Sequence, residues 1–237
     1  MPTALDIVFA LLFAVGIAGA AGAYFDRRLK QRIAAGVPNA RLSAYRRAAA
    51  VQWALAAATI ILWWREGRSW RVLGLVPTMD WRFYAGLLLA GVVLGLVLRQ
   101  NRAVRRATPE RLEGLAPQLA SVDMIVPRTT DEYRSFMMLS VTAGVCEELL
   151  YRGFLTWLVA AYVGLIAAIV LVSIAFGLAH AYQGRKGIVK TGAVALVMSG
   201  IVVASGWLVP AMVVHGLLDA AGGVVGYAVL TRPRPAS

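Results

Sequence analysis

SFMMLSVTAGVCEELLYR, residues 135–152, is an apolar run that contains two adjacent glutamates and an arginine. Its length approaches that of a membrane-spanning helix, yet Glu147, Glu148 and Arg152 interrupt it. An ionisable side chain within a membrane span is costly, so its presence indicates a functional site. The stretch therefore predicts both a transmembrane helix and a position for chemistry.

Two further polar clusters interrupt the apolar sequence that follows. They are Phe176-Gly177-Leu178-Ala179-His180 and His215-Gly216-Leu217-Leu218-Asp219. The chain's two histidines both lie in them, and Glu147, Glu148 and Asp219 are the only acidic residues between positions 136 and 230. Two imidazoles and three carboxylates on separate apolar segments indicate a catalytic constellation.

The composition is that of a membrane protein. Hydrophobic residues make up 59% of the 237 and charged residues 15%, whereas a soluble domain is about one quarter charged. The net charge of +12 does not indicate nucleic-acid binding, because the arginines border apolar runs, as lipid headgroups and topology require. A single cysteine, Cys146, excludes an internal disulfide, and an isolated apolar cysteine is usually inert.

The apolar runs predict an all-α, polytopic transmembrane helix bundle of seven or eight spans. Seven runs are visible, at residues 5–25, 48–64, 83–98, 135–151, 164–180, 188–206 and 207–230. Simple alternation of seven spans leaves His180 about 10 Å or more from the depth of Glu147 and His215. The apolar segment 153–163 is too short to span, so we expect it to re-enter or cross obliquely, which adds a span and restores a common depth.

Charge distribution predicts the topology. No lysine or arginine precedes the first run, so we expect an uncleaved span with its N-terminus outside, and a cleaved signal peptide is the alternative. The basic segments 26–47 and 99–134 are then cytoplasmic, the latter partly a helix on the membrane surface. The basic residues beyond residue 184 agree with this arrangement and with a C-terminus inside; they are Arg185, Lys186, Lys190, Arg232 and Arg234.

The chain divides into three predicted regions. Residues 1–134 form N-terminal transmembrane helices with basic cytoplasmic loops, residues 135–230 a catalytic core that holds every motif, and residues 231–237 a short tail. We expect an integral, multi-pass protein of the bacterial cytoplasmic (inner) membrane.

Helical periodicity separates the roles of the adjacent glutamates. Glu148 and Arg152 are four residues apart and share a helix face, so they are expected to form an ion pair. Glu147 points away from that face, nearer to Tyr151, and is free to project into a cavity as a general base.

The histidines carry similar local patterns. Phe176 and His180 are four residues apart, so their rings share one helix face. His215 and Asp219 have the same spacing, and a carboxylate that accepts from one imidazole nitrogen fixes the ring's tautomer. Small residues around this pair permit close helix packing; they are Gly216, Ala220, Ala221, Gly222 and Gly223.

The ordered motifs EExxxR, FxxxH and HxxxD resemble those of the CPBP family, over about residues 135–225. That family comprises CAAX prenyl proteases of the Ras-converting type and bacteriocin-processing or immunity proteins, also called the Abi family. The resemblance implies an all-helical intramembrane endopeptidase without a cofactor. By that resemblance Glu147 activates water, His180 orients the water, and His215 with residue 219 supports the oxyanion. Glu148, Arg152, Tyr151 and Phe176 take supporting positions.

Residue 219 departs from the family pattern, which often has asparagine there. An ionised aspartate cannot donate a hydrogen bond to an oxyanion. Asp219 therefore either stays protonated or only orients His215, and we favour orientation.

Two other interpretations stay open. A divalent metal such as Zn²⁺ held by Glu147, His180 and His215 would also hydrolyse a peptide bond. A non-enzymatic transporter or immunity factor would also use buried Glu and His. The expected partners are the lipid bilayer and a membrane-embedded or lipidated peptide substrate, CAAX-like or otherwise, and not nucleic acid.

Overall fold

A computed structural model describes residues 1–119 and 121–231, and this part of the chain contains helices and no strands. The predicted tail, with Arg232 and Arg234, lies outside the described residues apart from Thr231. The helices are α1 Ala4–Leu11, π1 Leu12–Ala21, α2 Gly22–Ala34, α3 Ala40–Arg65, α4 Trp81–Arg105, α5 Pro109–Glu113, α6 Ala116–Leu119, α7 Thr130–Glu147, π2 Glu148–Leu155, α8 Thr156–Val163, α9 Leu165–Ala179, a 3₁₀ turn Ala181–Gln183, α10 Gly184–Ser205 and α11 Val209–Thr231. The predicted all-α fold is confirmed.

Long apolar helices make the chain an integral membrane protein. Within the described residues four helical segments are long and apolar enough to cross a bilayer, and two shorter apolar segments accompany them. The four are Ala40–Arg65, Trp81–Val104, Ala181–Ser205 and Val209–Thr231, and the shorter ones are Ala4–Gly16 and Leu165–Ala179. The prediction of seven or eight spans is thus not confirmed, although the predicted apolar runs coincide with helices except at residues 164, 180 and 206–208.

Segment 153–163 is not a re-entrant or separate crossing, contrary to the sequence-based expectation. The backbone stays helical from α7 through π2 into α8, and Glu148 and Thr156 keep right-handed helical angles at the junctions. These residues therefore extend the helix that carries the glutamate pair. The wider π-helical turn begins at Glu148, and such turns are frequent at functional sites.

A hairpin at Gly164 brings two of the polar clusters to one level. Gly164 has φ of 79°, a left-handed conformation that glycine adopts readily, and there the chain reverses from α8 into α9. Glu147 precedes this turn by about as many residues as His180 follows it. Two antiparallel helical legs with nearly the same number of residues therefore return His180 to about the depth of Glu147.

Close contact between α7 and α11 brings the third cluster to the same place. A Cβ atom on Gly144 would lie 2.6 Å from the carbonyl oxygen of Met212 and 2.8 Å from the amide nitrogen of Gly216. Only small residues at this crossing allow the two backbones to approach so closely. The predicted packing role of Gly216 is confirmed, and His215 consequently faces the glutamate pair.

The N-terminal helices pack on this core. The Asp6 carboxylate in α1 receives two hydrogen bonds from Arg68, at 2.8 and 2.6 Å, and is buried. Phe9 contacts Phe154, and Phe13 contacts Tyr151 beside the glutamate pair. The first helix thus supports the helix that carries the polar cluster.

Candidate active site

Glu147 ends α7 and is held by a residue from another helix. Gln52 of α3 donates from Nε2 to Glu147 Oε1 at 2.8 Å. The second oxygen, Oε2, is inaccessible to solvent, has no hydrogen-bond partner among the described residues, and lies 3.8 Å from His215 Nε2. One carboxylate oxygen is therefore fixed, and the other is available beside an imidazole.

Glu148 connects an arginine and a histidine. Its Oε1 accepts from Arg152 Nη1 at 3.0 Å, and it lies 2.7 Å from His215 Nδ1. The Glu148 side chain is 0% exposed and that of Arg152 is 2% exposed, so water does not screen the pair. The ion pair expected from the four-residue spacing is present, and its carboxylate also bonds to His215 of α11.

The orienting contact of His215 comes from Glu148 and not from Asp219. A carboxylate only accepts hydrogen bonds, so the short contact requires a proton on His215 Nδ1. Asp219 Oδ2 lies 3.6 Å from Nε2, beyond hydrogen-bond range, and its side chain is 41% exposed. The sequence-based preference for Asp219 as the orienting residue thus differs from the geometry. Periodicity compares residues on one helix and does not detect a partner on another helix.

His180 follows the last residue of α9 and bonds to that helix. Its Nδ1 lies 2.8 Å from the backbone oxygen of Phe176, one of the carbonyls that a helix end leaves without a partner. Because a carbonyl accepts, Nδ1 carries the proton, and Nε2 of the neutral ring is left as an acceptor. This tautomer suits a residue that receives a hydrogen bond from water.

Aromatic rings join the two histidines. The Phe176 ring is buried and lies 4.6 Å from the His180 ring and 5.9 Å from the His215 ring, measured between centroids. The centroid of the Tyr151 ring lies 4.9 Å from that of Phe176, with the two rings nearly perpendicular, and the Arg152 guanidinium lies 4.3 Å from the centre of the Phe176 ring. Tyr151 and Phe176 thus occupy supporting positions between the polar clusters.

The structure brings the predicted residues to one location. His215 lies within 4 Å of the carboxylates of Glu147, Glu148 and Asp219, and His180 is joined to it through Phe176. Within the described part of the chain no three His, Cys, Asp or Glu side chains are arranged to hold a metal ion. The metal-dependent alternative stays a prediction. Cys146 is buried.

Sequence reasoning missed two features of the site. One is Gln52, a single amide in the apolar run 48–64, which is a visible signal because amides in membrane helices usually bond across helices. The other is the bond between Glu148 and His215, which has no signal in local spacing.

A comparison with protein-family models matches residues 130–221 to the family described as type II CAAX prenyl endopeptidase Rce1-like. No curated protein and no solved structure matches the chain. The matched residues include both glutamates, both histidines and Asp219. They do not include Gln52. The segment that carries the polar clusters is therefore similar to the type II CAAX prenyl endopeptidase Rce1-like family.

Proposed function

We propose that this protein is an intramembrane endopeptidase that hydrolyses a peptide bond of a membrane-associated substrate with a water activated by Glu147. The observation that carries this proposal is the Glu147 carboxylate, with one oxygen bonded and the other unpaired beside His215 Nε2. The similarity of residues 130–221 to the Rce1-like family supports the proposal of a protease of the CAAX type.

The proposed reaction uses each group in turn. Glu147 Oε2 takes a proton from water, and the resulting hydroxide attacks the carbonyl carbon of the scissile bond. His180 Nε2 accepts the other hydrogen of that water and so orients it. Glu147 then gives its proton to the leaving amine as the carbon–nitrogen bond breaks, and a carboxylic acid and an amine remain.

His215 supports the negative charge of the tetrahedral intermediate. Its Nδ1 proton is directed to Glu148, so donation to the oxyanion requires a second proton on Nε2 and hence an imidazolium. Three carboxylates within 4 Å suit that cation. Asp219, on the Nε2 side, then acts as a counter-charge at the more exposed edge of the site.

Cleavage by matched variants tests this mechanism. Glu147→Gln and His180→Ala should each lower kcat for a membrane peptide, Glu147→Gln by about 10²- to 10⁴-fold, because general-base catalysis contributes that much. Both variants should keep the wild-type unfolding temperature in detergent, and Glu66→Gln in an exposed loop is the control. Retained cleavage by folded Glu147→Gln would refute the assignment.

The peptides that accumulate when cleavage is blocked should identify the substrate. Membrane peptides from bacterial cells with Glu147→Gln in place of the wild-type protein should include the uncleaved substrate, which we expect to be prenylated or otherwise apolar at its end. Stoichiometric zinc by elemental analysis, with activity lost to a chelator and restored by zinc, would favour the metal-dependent alternative instead. Ion flux in liposomes without any proteolysis would favour a transporter.

A further inference from the structure

Gln52 lies on a helix outside the segment that carries the polar clusters, yet its side chain reaches the Glu147 carboxylate. Its donor–acceptor distance of 2.8 Å is that of a charge-assisted hydrogen bond. The carboxylate accepts only, so the amide nitrogen must face Glu147 and the amide oxygen must face away from it. That oxygen, Oε1, is inaccessible to solvent and has no hydrogen-bond partner among the described residues.

The bond decides which oxygen of Glu147 is free. With Oε1 engaged by Gln52, only Oε2 is left to take a proton, and Oε2 lies 3.8 Å from His215 Nε2. Without this bond the Glu147 carboxylate would rotate between several positions. Fixing the reacting oxygen within a fraction of an ångström of its working geometry is a large part of catalysis.

We propose that Gln52 is a positioning residue of the active site, which orients Glu147 by donating to Oε1 and so directs Oε2 toward the attacking water. The inference rests on the proposed function, because it assigns Glu147 as the base. It also makes α3 a part of the site.

The next residue on the same helix supplies a matched control. Trp53 donates from Nε1 to Thr142 Oγ1 of α7 at 3.2 Å, so it too joins α3 to α7, but it does not touch Glu147. Trp53→Phe removes that bond and keeps an aromatic ring. It therefore reports what a weaker contact between the two helices does by itself.

Three variants of the full chain, assayed on the same peptide, test the inference. Gln52→Leu, which cannot donate, should lower kcat by about 10- to 100-fold, the effect of one hydrogen bond to a charged group, with KM little changed. Gln52→Glu has nearly the same shape but sets a carboxylate beside Glu147, so the two share a proton at moderate pH. Its acid limb in the pH–rate profile should move to higher pH by about one unit or more, and activity should recover at alkaline pH. Trp53→Phe should keep kcat within about twofold and leave the pH–rate profile unchanged, because substitutions of exposed residues away from a functional site usually have small effects.

Glu147→Gln separates the proposal that Glu147 is the general base from the inference that Gln52 orients it. If it still cleaves, the proposed function fails. If it is inactive while Gln52→Leu and Gln52→Glu keep the wild-type kcat and profile, the function stands and the inference is overturned. Equal losses in Gln52→Leu and Trp53→Phe, or failure of both Gln52 variants to fold, would make Gln52 a structural residue and would also overturn it.

Discussion

A single buried carboxylate, Glu148, has two partners of different kinds. Arg152 is its neighbour on the same helix, and His215 approaches from α11. Desolvation makes such a group costly unless each partner is present. A residue that sequence spacing assigns only to an ion pair therefore also fixes the tautomer of a candidate catalytic histidine.

Glu148→Gln should reveal both roles. Removal of one partner of a buried pair leaves the Arg152 charge uncompensated, so the free energy of unfolding should fall by about 3 kcal/mol. Cleavage should fall as well, because an amide oxygen holds the His215 Nδ1 proton more weakly than a carboxylate. Chemical unfolding in detergent and a peptide-cleavage assay measure the two effects.

The double variant Glu148→Gln with Arg152→Met separates them. It removes the uncompensated charge, so stability should return while cleavage stays low. Recovery of both properties would mean that Glu148 serves only as a counter-ion to Arg152.

At the scale of the residue, sequence predicted that the three polar clusters meet, but not that Gln52 joins them or how the side chains bond. Glu147, His180 and His215 are conspicuous because titratable groups are rare in apolar segments. The direction of each bond depends on helix crossings, which no local pattern encodes. For that reason spacing favoured Asp219 for His215, whereas the cross-helix contact belongs to Glu148.

At the scale of the element, apolar runs predicted the helices well and their connections poorly. Segment 153–163 looked too short to span and too apolar for a loop. It is the end of a helix longer than one span, and length rules for single spans do not describe that case. The chain reverses at Gly164, which the apolar pattern assigns to the start of the next span.

The crossing of α7 and α11 should be intolerant of any added side chain. Gly144→Ala would set a Cβ against backbone atoms of Met212 and Gly216, which cannot move independently of α11. We expect a loss of about 1–3 kcal/mol in unfolding free energy, as overpacking causes, together with loss of cleavage as the glutamates separate from His215. Thermal unfolding and peptide cleavage report both effects.

Gly91→Ala is the matched control for this substitution. It lies in the interior of α4, and a Cβ there would meet no atom within 4 Å. Because alanine favours helix over glycine by about 1 kcal/mol, this variant should be neutral or slightly more stable. Equal behaviour of the two alanine variants would contradict the close α7–α11 contact.

At the scale of the whole molecule, charge predicts which side each loop occupies. The basic segment 26–47 and the loop 66–80 lie at opposite ends of α3. By the positive-inside rule we expect segment 26–47 to face the cytoplasm and the loop 66–80 to face the other side. The bond between Asp6 and Arg68 agrees with this arrangement, because it joins the start of α1 to the second loop.

Cysteine labelling tests the orientation. Cys146 is 0% exposed, so the natural protein should not react with a membrane-impermeant maleimide. In intact cells Thr78→Cys should be labelled from outside, and Ala35→Cys should be labelled only after the membrane is opened, because both positions are exposed and lie in opposite loops. The reverse pattern would invert the topology.

The hairpin at Gly164 also limits how the chain length can vary. Each inserted residue advances a helix by 1.5 Å and turns it by about 100°, so one insertion between Glu147 and Gly164 would rotate the base away from His180. Extra residues at the Gly164 turn itself would leave both legs in register. Natural length variation in this region should therefore concentrate at the tip, and grafts or fusions are best tolerated there.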